Sequence, residues 1–232
     1  MSENPICVAL DTPDPALAAA MAARLKDHVG MAKVGMELFY RSGRAGFEQV
    51  AAQRVPLFLD LKLHDIPNTV AQGLTSLMSL DPAPAIVNVH ASGGPAMLEA
   101  AARAVDGKAR LIAVTILTSL SDADIHAAGF DPASDTAETA VKLAQLSKQS
   151  GLDGVVCSPH DVRAIKAACG TGFMTVVPGV RPAGADVQDQ KRIATPQSAR
   201  ADGADVLVIG RPITKADDPA AAAAAIAASI EG

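Results

Sequence analysis

The sequence predicts an α/β protein that forms a single (β/α)8 TIM barrel over residues 1–232, and three observations lead to this prediction. Eight short apolar runs alternate with eight segments of helical character along the chain. Strands that are apolar throughout are typical of a parallel sheet covered on both faces. A chain of 232 residues, 49% of them hydrophobic, has the size and the core material of one such barrel.

The predicted strands are short runs rich in Val, Ile, Leu and similar residues. An open doubly wound sheet is the competing architecture, but the first strand ends in Leu10-Asp11-Thr12, without the glycine-rich turn that such sheets often carry. The eight runs are Ile6–Leu10, Met31–Val34, Leu57–Leu61, Ile86–Val89, Leu111–Ile116, Gly154–Cys157, Met174–Val177 and Val206–Ile209.

A helical segment follows each strand. Asp14 suits the N-cap of the first helix, and Pro67 suits the first turn of the third. The Ala-rich tail reads as a packed terminal helix that starts at Asp217–Pro219. Two connections, 118–135 and 180–195, are longer than the others, as lids and binding loops often are. The segments are Pro15–His28, Glu37–Gln53, Asn68–Ser79, Pro95–Asp106, Thr136–Gln149, His160–Ala168, Thr195–Asp202 and Pro219–Ile230.

Composition argues against several classes of function. A net charge of −5, 3% aromatic residues and no Trp are unsuited to nucleic-acid binding. We expect no membrane association, because the chain has neither a signal-peptide pattern nor an apolar stretch fit to span a bilayer. The three cysteines are scattered and form no CxxC pair, which favours a reduced, cytoplasmic setting.

The most informative stretch is residues 60–69, where two acids and a lysine follow an apolar run. Side chains alternate in an extended strand, so Asp60 and Lys62 are expected to point the same way, with Asp65 in the turn that follows. Buried charge is costly unless it is paired. The competing interpretation is a structural ion pair, but Lys33 at the end of the second strand makes an active-site array the better hypothesis.

The charges in this array suggest a chemical role for Lys62. Alternating lysines and acids hold each other in place and keep Lys62 protonated and aimed, as a general acid requires. A Schiff-base lysine is the rival role, but it needs an apolar pocket that favours the neutral amine. No metal site is expected, because each candidate carboxylate has a lysine competing for it.

The ends of the last two strands suggest a phosphate site. Barrel active sites lie at the carboxyl ends of the strands, and phosphate often binds in the loops after strands seven and eight. Gly210 and Arg211 follow strand eight, and Arg181 follows strand seven. A glycine turn with an exposed arginine is the alternative. The loop after strand seven also carries Gln190, Lys191 and Arg192, so we expect it to close over the phosphate.

The remaining strand ends carry weaker candidates. Asp11 could pair with Lys33 or bond a sugar hydroxyl, or simply cap the first helical turn. His90 is expected beside the reactive groups or in the core rather than as a base. Thr118 is a site candidate whose alternative role is to cap its loop. Ser158 has no acid at triad spacing, which excludes nucleophilic serine chemistry.

Together these motifs resemble the orotidine 5′-monophosphate decarboxylase family of the compact bacterial type, along essentially the whole chain. The ten-residue string, joined to Lys33 and to the Gly-Arg-Pro-Ile end, makes the resemblance specific. The matching pieces are Leu10-Asp11, Lys33-Val34-Gly35, residues 60–69, Val89-His90-Ala91, Leu117-Thr118-Ser119, Pro178-Gly179-Val180-Arg181-Pro182 and Ile209-Gly210-Arg211-Pro212-Ile213.

The resemblance implies a role for each of these residues. Lys62 would protonate the pyrimidine carbon that loses carbon dioxide, and Asp60 would hold Lys62 near the substrate carboxylate. The enzyme would act as a homodimer without cofactor or metal, converting orotidine 5′-monophosphate to UMP. The resemblance also implies that Asp65, Ile66 and Thr69 reach into the neighbouring subunit's site. Asp11 and Lys33 would bond the ribose hydroxyls, and Thr118 would lie near the base. The phosphate would be bound by Arg181, Gln190, Gly210 and Arg211.

Two other functions stay open on the sequence. Magnesium-dependent sugar-phosphate decarboxylases and hexulose-phosphate synthases are similar barrels, but they carry an acid where this chain has Lys33. A non-catalytic barrel that senses a pyrimidine nucleotide is the other alternative. It would have little use for a costly array of buried charges.

Overall fold

Eight parallel strands form a closed barrel in chain order in the computed structural model, which describes residues 4–182 and 194–231. The last strand closes on the first, with Ile6, Cys7 and Val8 opposite Leu207, Val208 and Ile209. The predicted (β/α)8 architecture is therefore confirmed. The strands are β1 Ile6–Ala9, β2 Met31–Gly35, β3 Leu57–Leu63, β4 Ile86–His90, β5 Arg110–Val114, β6 Gly154–Val156, β7 Met174–Val177 and β8 Val206–Ile209.

Helices connect the strands, and all eight predicted helical segments are found. Asp14 caps the first helix as predicted, accepting hydrogen bonds from the backbone N–H groups of Ala16 and Leu17. Two short helices, Asp122–Ala127 and Arg211–Thr214, were not expected. The helices are α1 Pro15–Leu25, α2 Met36–Ala51, α3 Pro67–Leu77, α4 Gly94–Val105, α5 Asp122–Ala127, α6 Thr136–Gln149, α7 Val162–Cys169, α8 Pro196–Ala201, α9 Arg211–Thr214 and α10 Pro219–Glu231, with 3-10 turns at Ala91–Gly93 and Pro159–Asp161.

The core has two layers. Strand residues such as Cys7, Phe58 and Ile112 pack together inside the barrel, while the larger cluster lies between the strands and the helices. Cys7 and Cys157 are buried, as their apolar surroundings predict, and neither forms a disulfide within the described part of the chain. Within the described residues, no helix is both long and apolar enough to cross a bilayer.

A polar network stabilises the amino-terminal end of the barrel. Lys166 Nζ lies 2.6 Å from Asp205 Oδ2, and it also donates to the carbonyl oxygens of Thr171 and Phe173. The same Asp205 oxygen accepts the backbone N–H and the hydroxyl of Thr175, which is fully buried. This network joins α7, β7 and β8 at the end of the barrel opposite to the strand carboxyl termini.

Candidate active site

A cavity of about 430 Å³ opens at the carboxyl ends of the strands. Its volume lies in the range usual for small-molecule sites. Apolar side chains such as Ile116, Leu117 and Val156 form part of its wall. Eight of the twelve predicted site residues line it: Asp11, Lys33, Asp60, Lys62, Thr118, Arg181, Gly210 and Arg211.

Four of these residues form a continuous chain of alternating charges. Lys62 Nζ lies 2.7 Å from Asp60 Oδ1. Lys33 Nζ lies 3.4 Å from Asp60 Oδ2 and 3.3 Å from Asp11 Oδ1. The predicted pairings are therefore present, and each oxygen of Asp60 faces a different ammonium group.

The surroundings keep Asp60 and Lys33 charged near neutral pH. Burial alone would raise the pKa of Asp60, but Lys33, Lys62 and hydrogen bonds from Lys62 and Asn88 outweigh it and hold that pKa below its usual value. Burial would likewise lower the pKa of Lys33, yet Asp60 and Asp11 raise it above the usual value. Ion pairing thus overcomes desolvation at both residues.

An irregularity in β3 brings Asp60 and Lys62 together. Leu59 lies opposite Val87 and Leu63 lies opposite Val89, so the three residues between them face Asn88 alone. Lys62 has a φ of 53°, in the left-handed region. The prediction that regular strand alternation aligns the two side chains is therefore wrong in its geometry, although the side chains do meet. A local bulge, stabilised by pairing with β4, aligns them instead.

Sequence reasoning missed Asn88, which contacts both residues. Asn88 is 1% exposed. Its Nδ2 donates to Asp60 Oδ1 at 2.7 Å, and its Oδ1 accepts the Lys62 backbone N–H at 2.8 Å. The sequence feature that could have identified Asn88 is a polar amide in an otherwise apolar strand. Buried polar groups need hydrogen-bond partners, so such a residue is expected to contact other polar groups.

His90 lies beside the charge array, as predicted, and outside the cavity lining. Its ring centroid lies 5.4 Å from that of His64. Burial lowers the pKa of His90, and the charges of His64 and Lys62 lower it further, against the opposing effect of Asp60. A neutral imidazole is therefore favoured at this position.

The three predicted site residues that follow β3 do not line this cavity. Asp65, Ile66 and Thr69 are all exposed, with Ile66 exposed to 66%, and none of them lines the cavity of its own barrel. Asp65 Oδ1 accepts the backbone N–H of Ile66 at 2.6 Å. These three predicted residues therefore lie apart from the other eight within one chain.

The predicted phosphate residues after β7 and β8 line one part of the cavity. Gly210 precedes α9, and Arg211 is the first residue of that helix. Arg181 is 9% exposed, and its Nη1 donates to the carbonyl oxygen of Val180 at 3.1 Å. Gln190 lies outside the described residues, as do Lys191 and Arg192. No group of three or more His, Cys, Asp or Glu side chains suited to a metal ion occurs in residues 4–182 and 194–231.

Comparison with known proteins agrees with this geometry. Residues 4–226 match the model of the orotidine 5′-phosphate decarboxylase / HUMPS family. The chain is 49% identical over 241 residues to orotidine 5′-phosphate decarboxylase of Rhodospirillum rubrum, covering 100% of this chain and 96% of that protein. It is 50% identical over 227 residues to the enzyme of the same name from Novosphingobium aromaticivorans, covering 98% and 99% of the two chains.

A solved structure shows the same similarity in three dimensions. The crystal structure of orotidine 5′-phosphate decarboxylase from Lactobacillus acidophilus aligns with a TM-score of 0.85 and 36% identity, covering 99% of this chain and 100% of that one. Sequence and fold therefore agree over the same residues. The chain belongs to the orotidine 5′-phosphate decarboxylase / HUMPS family.

Proposed function

We propose that this chain decarboxylates orotidine 5′-monophosphate to UMP, the last step of de novo pyrimidine synthesis. The observation that carries the proposal is the charge array Asp11–Lys33–Asp60–Lys62 in the wall of a cavity of nucleotide size. The full-length similarity to proteins named for this activity supports it.

Lys62 is the group we assign to the chemistry. When the bond between the ring carbon and the carboxylate breaks, carbon dioxide leaves and the electron pair stays on the carbon. That carbanion has no ordinary electron sink. A positioned ammonium stabilises the developing charge without reorganisation. A proton then moves from Lys62 Nζ to the carbon, giving UMP, and solvent reprotonates the amine. No cofactor or metal is needed for these steps.

Asp60 has two proposed roles. It holds the Lys62 ammonium by a contact of 2.7 Å. Asp60 would also lie near the carboxylate of the bound substrate. Two carboxylates about 4 Å apart in an effective dielectric of about 20 repel each other by roughly 4 kcal/mol before relaxation. That repulsion disappears as carbon dioxide leaves, so it favours the reaction.

The other cavity residues are proposed to bind the nucleotide. Asp11 and Lys33 bond the ribose hydroxyls, and Thr118 lies near the base and ribose. The proposed phosphate ligands are Arg181, Gln190, Gly210 and Arg211, with the segment after Arg181 closing over them. Their placement around one cavity supports the assignments for all except Gln190, which lies outside the described residues. Binding energy from a remote phosphate can hold the reacting groups in a strained arrangement.

We further propose a homodimer in which each subunit completes the other's site. Asp65, Ile66 and Thr69 would enter the neighbouring cavity. Their exposure in one chain supports this, because Ile66 is a large apolar residue that is 66% exposed and does not line its own cavity. A cytoplasmic location is proposed because the three cysteines form no disulfide among the residues that the structure describes.

Lys33 distinguishes this function from that of magnesium-dependent relatives. The ammonium of Lys33 contacts Asp60 and Asp11, so both carboxylates are already paired with a cation. The test follows the ultraviolet absorbance of the orotate ring after the purified protein is mixed with orotidine 5′-monophosphate in the presence of a chelator. Decarboxylation removes this absorbance. We expect full activity and one carbon dioxide released per UMP formed. Absence of turnover, or turnover that the chelator abolishes, would contradict the proposal.

A further inference from the structure

Asn88 occupies the middle of β4, a strand whose other central residues are apolar. It is 1% exposed and does not line the cavity. Its neighbours along the strand, Val87 and Val89, pair with Leu59 and Leu63 of β3. The gap between those pairs contains Asp60 and Lys62. Asn88 is therefore the single β4 residue that faces the irregular part of β3.

The primary amide matches the groups that it meets. Lys62 presents a backbone N–H, which needs an acceptor, and Asp60 presents a carboxylate oxygen, which needs a donor. Asn88 supplies Oδ1 to the first at 2.8 Å and Nδ2 to the second at 2.7 Å. An ionised aspartate would offer only acceptors and an aliphatic side chain would offer neither group, whereas an amide of this length satisfies both partners at any pH.

The backbone contact has a further consequence. Lys62 has a φ of 53°, a conformation that side-chain-bearing residues adopt reluctantly. Strained backbone of this kind persists only when the surrounding structure holds it. The hydrogen bond to Asn88 restrains that peptide directly. The direction of the Lys62 side chain depends on this restraint.

We propose that Asn88 is a positioning residue for decarboxylation, which aims the Lys62 ammonium and the Asp60 carboxylate through a single buried amide. This inference rests on the proposed function. Asn88 touches neither the cavity nor its phosphate end, so it acts through the two charged residues. Its loss therefore lowers kcat and leaves KM almost unchanged.

The first test compares Asn88→Ala with the wild-type enzyme and a matched control. Thr175→Val removes a buried hydroxyl from the Asp205 network at the opposite end of the barrel. We expect Asn88→Ala to lower kcat by about 10–100-fold, as loss of a residue that orients site groups commonly does. KM should stay within about threefold. Thr175→Val should lower the melting temperature but keep kcat within about twofold per UMP-binding site. A kcat for Asn88→Ala within twofold of wild type would overturn the proposal.

The second test uses Asn88→Asp, which preserves shape but turns the donor into an acceptor. As a carboxylate it repels Asp60, whereas in its protonated form it donates to Asp60 as the amide does. The ratio of variant to wild-type kcat should therefore rise as the pH falls from about 8 to about 5.5, because burial and the neighbouring Asp60 raise the pKa of the introduced carboxyl into this range. Dividing by wild type removes the titration of the substrate phosphate. A ratio that does not change with pH would contradict the inference.

A third measurement needs no variant. Hydrogen exchange at the Lys62 amide of the wild-type protein should be as slow as that of amides within the strands, because Asn88 Oδ1 holds it. Exchange at the rate of an unprotected peptide would overturn the proposal even if both variants fail to fold. Failure of the proposed function is distinguishable, because wild-type protein would then not turn over orotidine 5′-monophosphate, whatever its exchange rates.

Discussion

Lys33 Nζ lies 3.4 Å from Asp60 Oδ2, while the other oxygen of that carboxylate contacts Lys62. The two side chains are only 12% and 10% exposed. Asp60 therefore depends on two cations that come from different strands. Removing one of them would leave a buried carboxylate with only one of the two ammonium groups that offset its desolvation. Lys33 is therefore important for folding as well as for binding.

Replacing Lys33 by Met should destabilise the protein by about 1–3 kcal/mol near neutral pH, the usual effect of leaving a buried polar group poorly satisfied. The pKa of Asp60 is lowered, so its contribution is present above the unfolded carboxyl pKa and is lost as pH falls through the folded pKa. The pKa of Lys33 is raised, so its contribution is present below the unfolded amine pKa and is lost as pH rises through the folded pKa.

The stability difference between wild type and Lys33→Met should therefore be flat from about pH 5 to about pH 9 and shrink on both sides. Urea unfolding at a series of pH values and one protein concentration measures it. A difference that grows as the pH falls below about 5 would mean that the pair does not form as described.

Replacing Lys62 by Ala should lower turnover by at least about a thousandfold, because it removes both the proton donor and the preorganised charge. UMP binding should persist, since the proposed phosphate ligands are untouched. Lys166→Ala is the matched control, because Lys166 also contacts an aspartate, at 2.6 Å, but at the opposite end of the barrel. It should lower the melting temperature and leave kcat unchanged. Near-normal turnover by Lys62→Ala, measured by loss of the orotate absorbance, would rule out its acid role.

The barrel and most of its site could be predicted because their signals are local in sequence. Alternating strands and helices determine the order of the elements, and the carboxyl ends of parallel strands must meet at one end. That is why Asp11, Lys33 and Arg211 line one cavity although they are far apart in the chain.

The bulge in β3 could not be predicted in the same way. Residues 57–63 read as an ordinary strand, and the irregularity appears only where β3 pairs with β4. The left-handed Lys62 likewise donates its backbone N–H to Asn88, which lies 26 residues further along the chain. Local patterns carry no information on such a contact, so Asn88 was absent from the predicted site.

Replacing Arg211 by Ala should reduce kcat/KM for orotidine 5′-monophosphate by about 10–100-fold, the effect of losing charge-assisted hydrogen bonds to phosphate. Orotidine, which lacks the phosphate, should lose little. Arg163→Ala is a suitable control, because Arg163 is an exposed arginine paired with Asp202 away from the cavity. Steady-state kinetics on both substrates tests the assignment. Equal losses on the two substrates would show that Arg211 does not act on the phosphate.

Mixing Lys62→Ala and Asp65→Ala subunits should restore activity that neither homodimer has. Asp65 is exposed and lies outside the cavity of its own barrel. If it acts in the neighbouring site, a heterodimer has one site with both residues intact and one site with neither.

Random mixing makes half of the dimers heterodimers, so about one quarter of the wild-type activity per site should return. The measurement is turnover of a mixture refolded from equal amounts, with the heterodimer content verified by differently tagged chains. The control is each variant refolded alone. If Asp65 served its own barrel instead, both sites of every heterodimer would lack one essential group, and no activity would return.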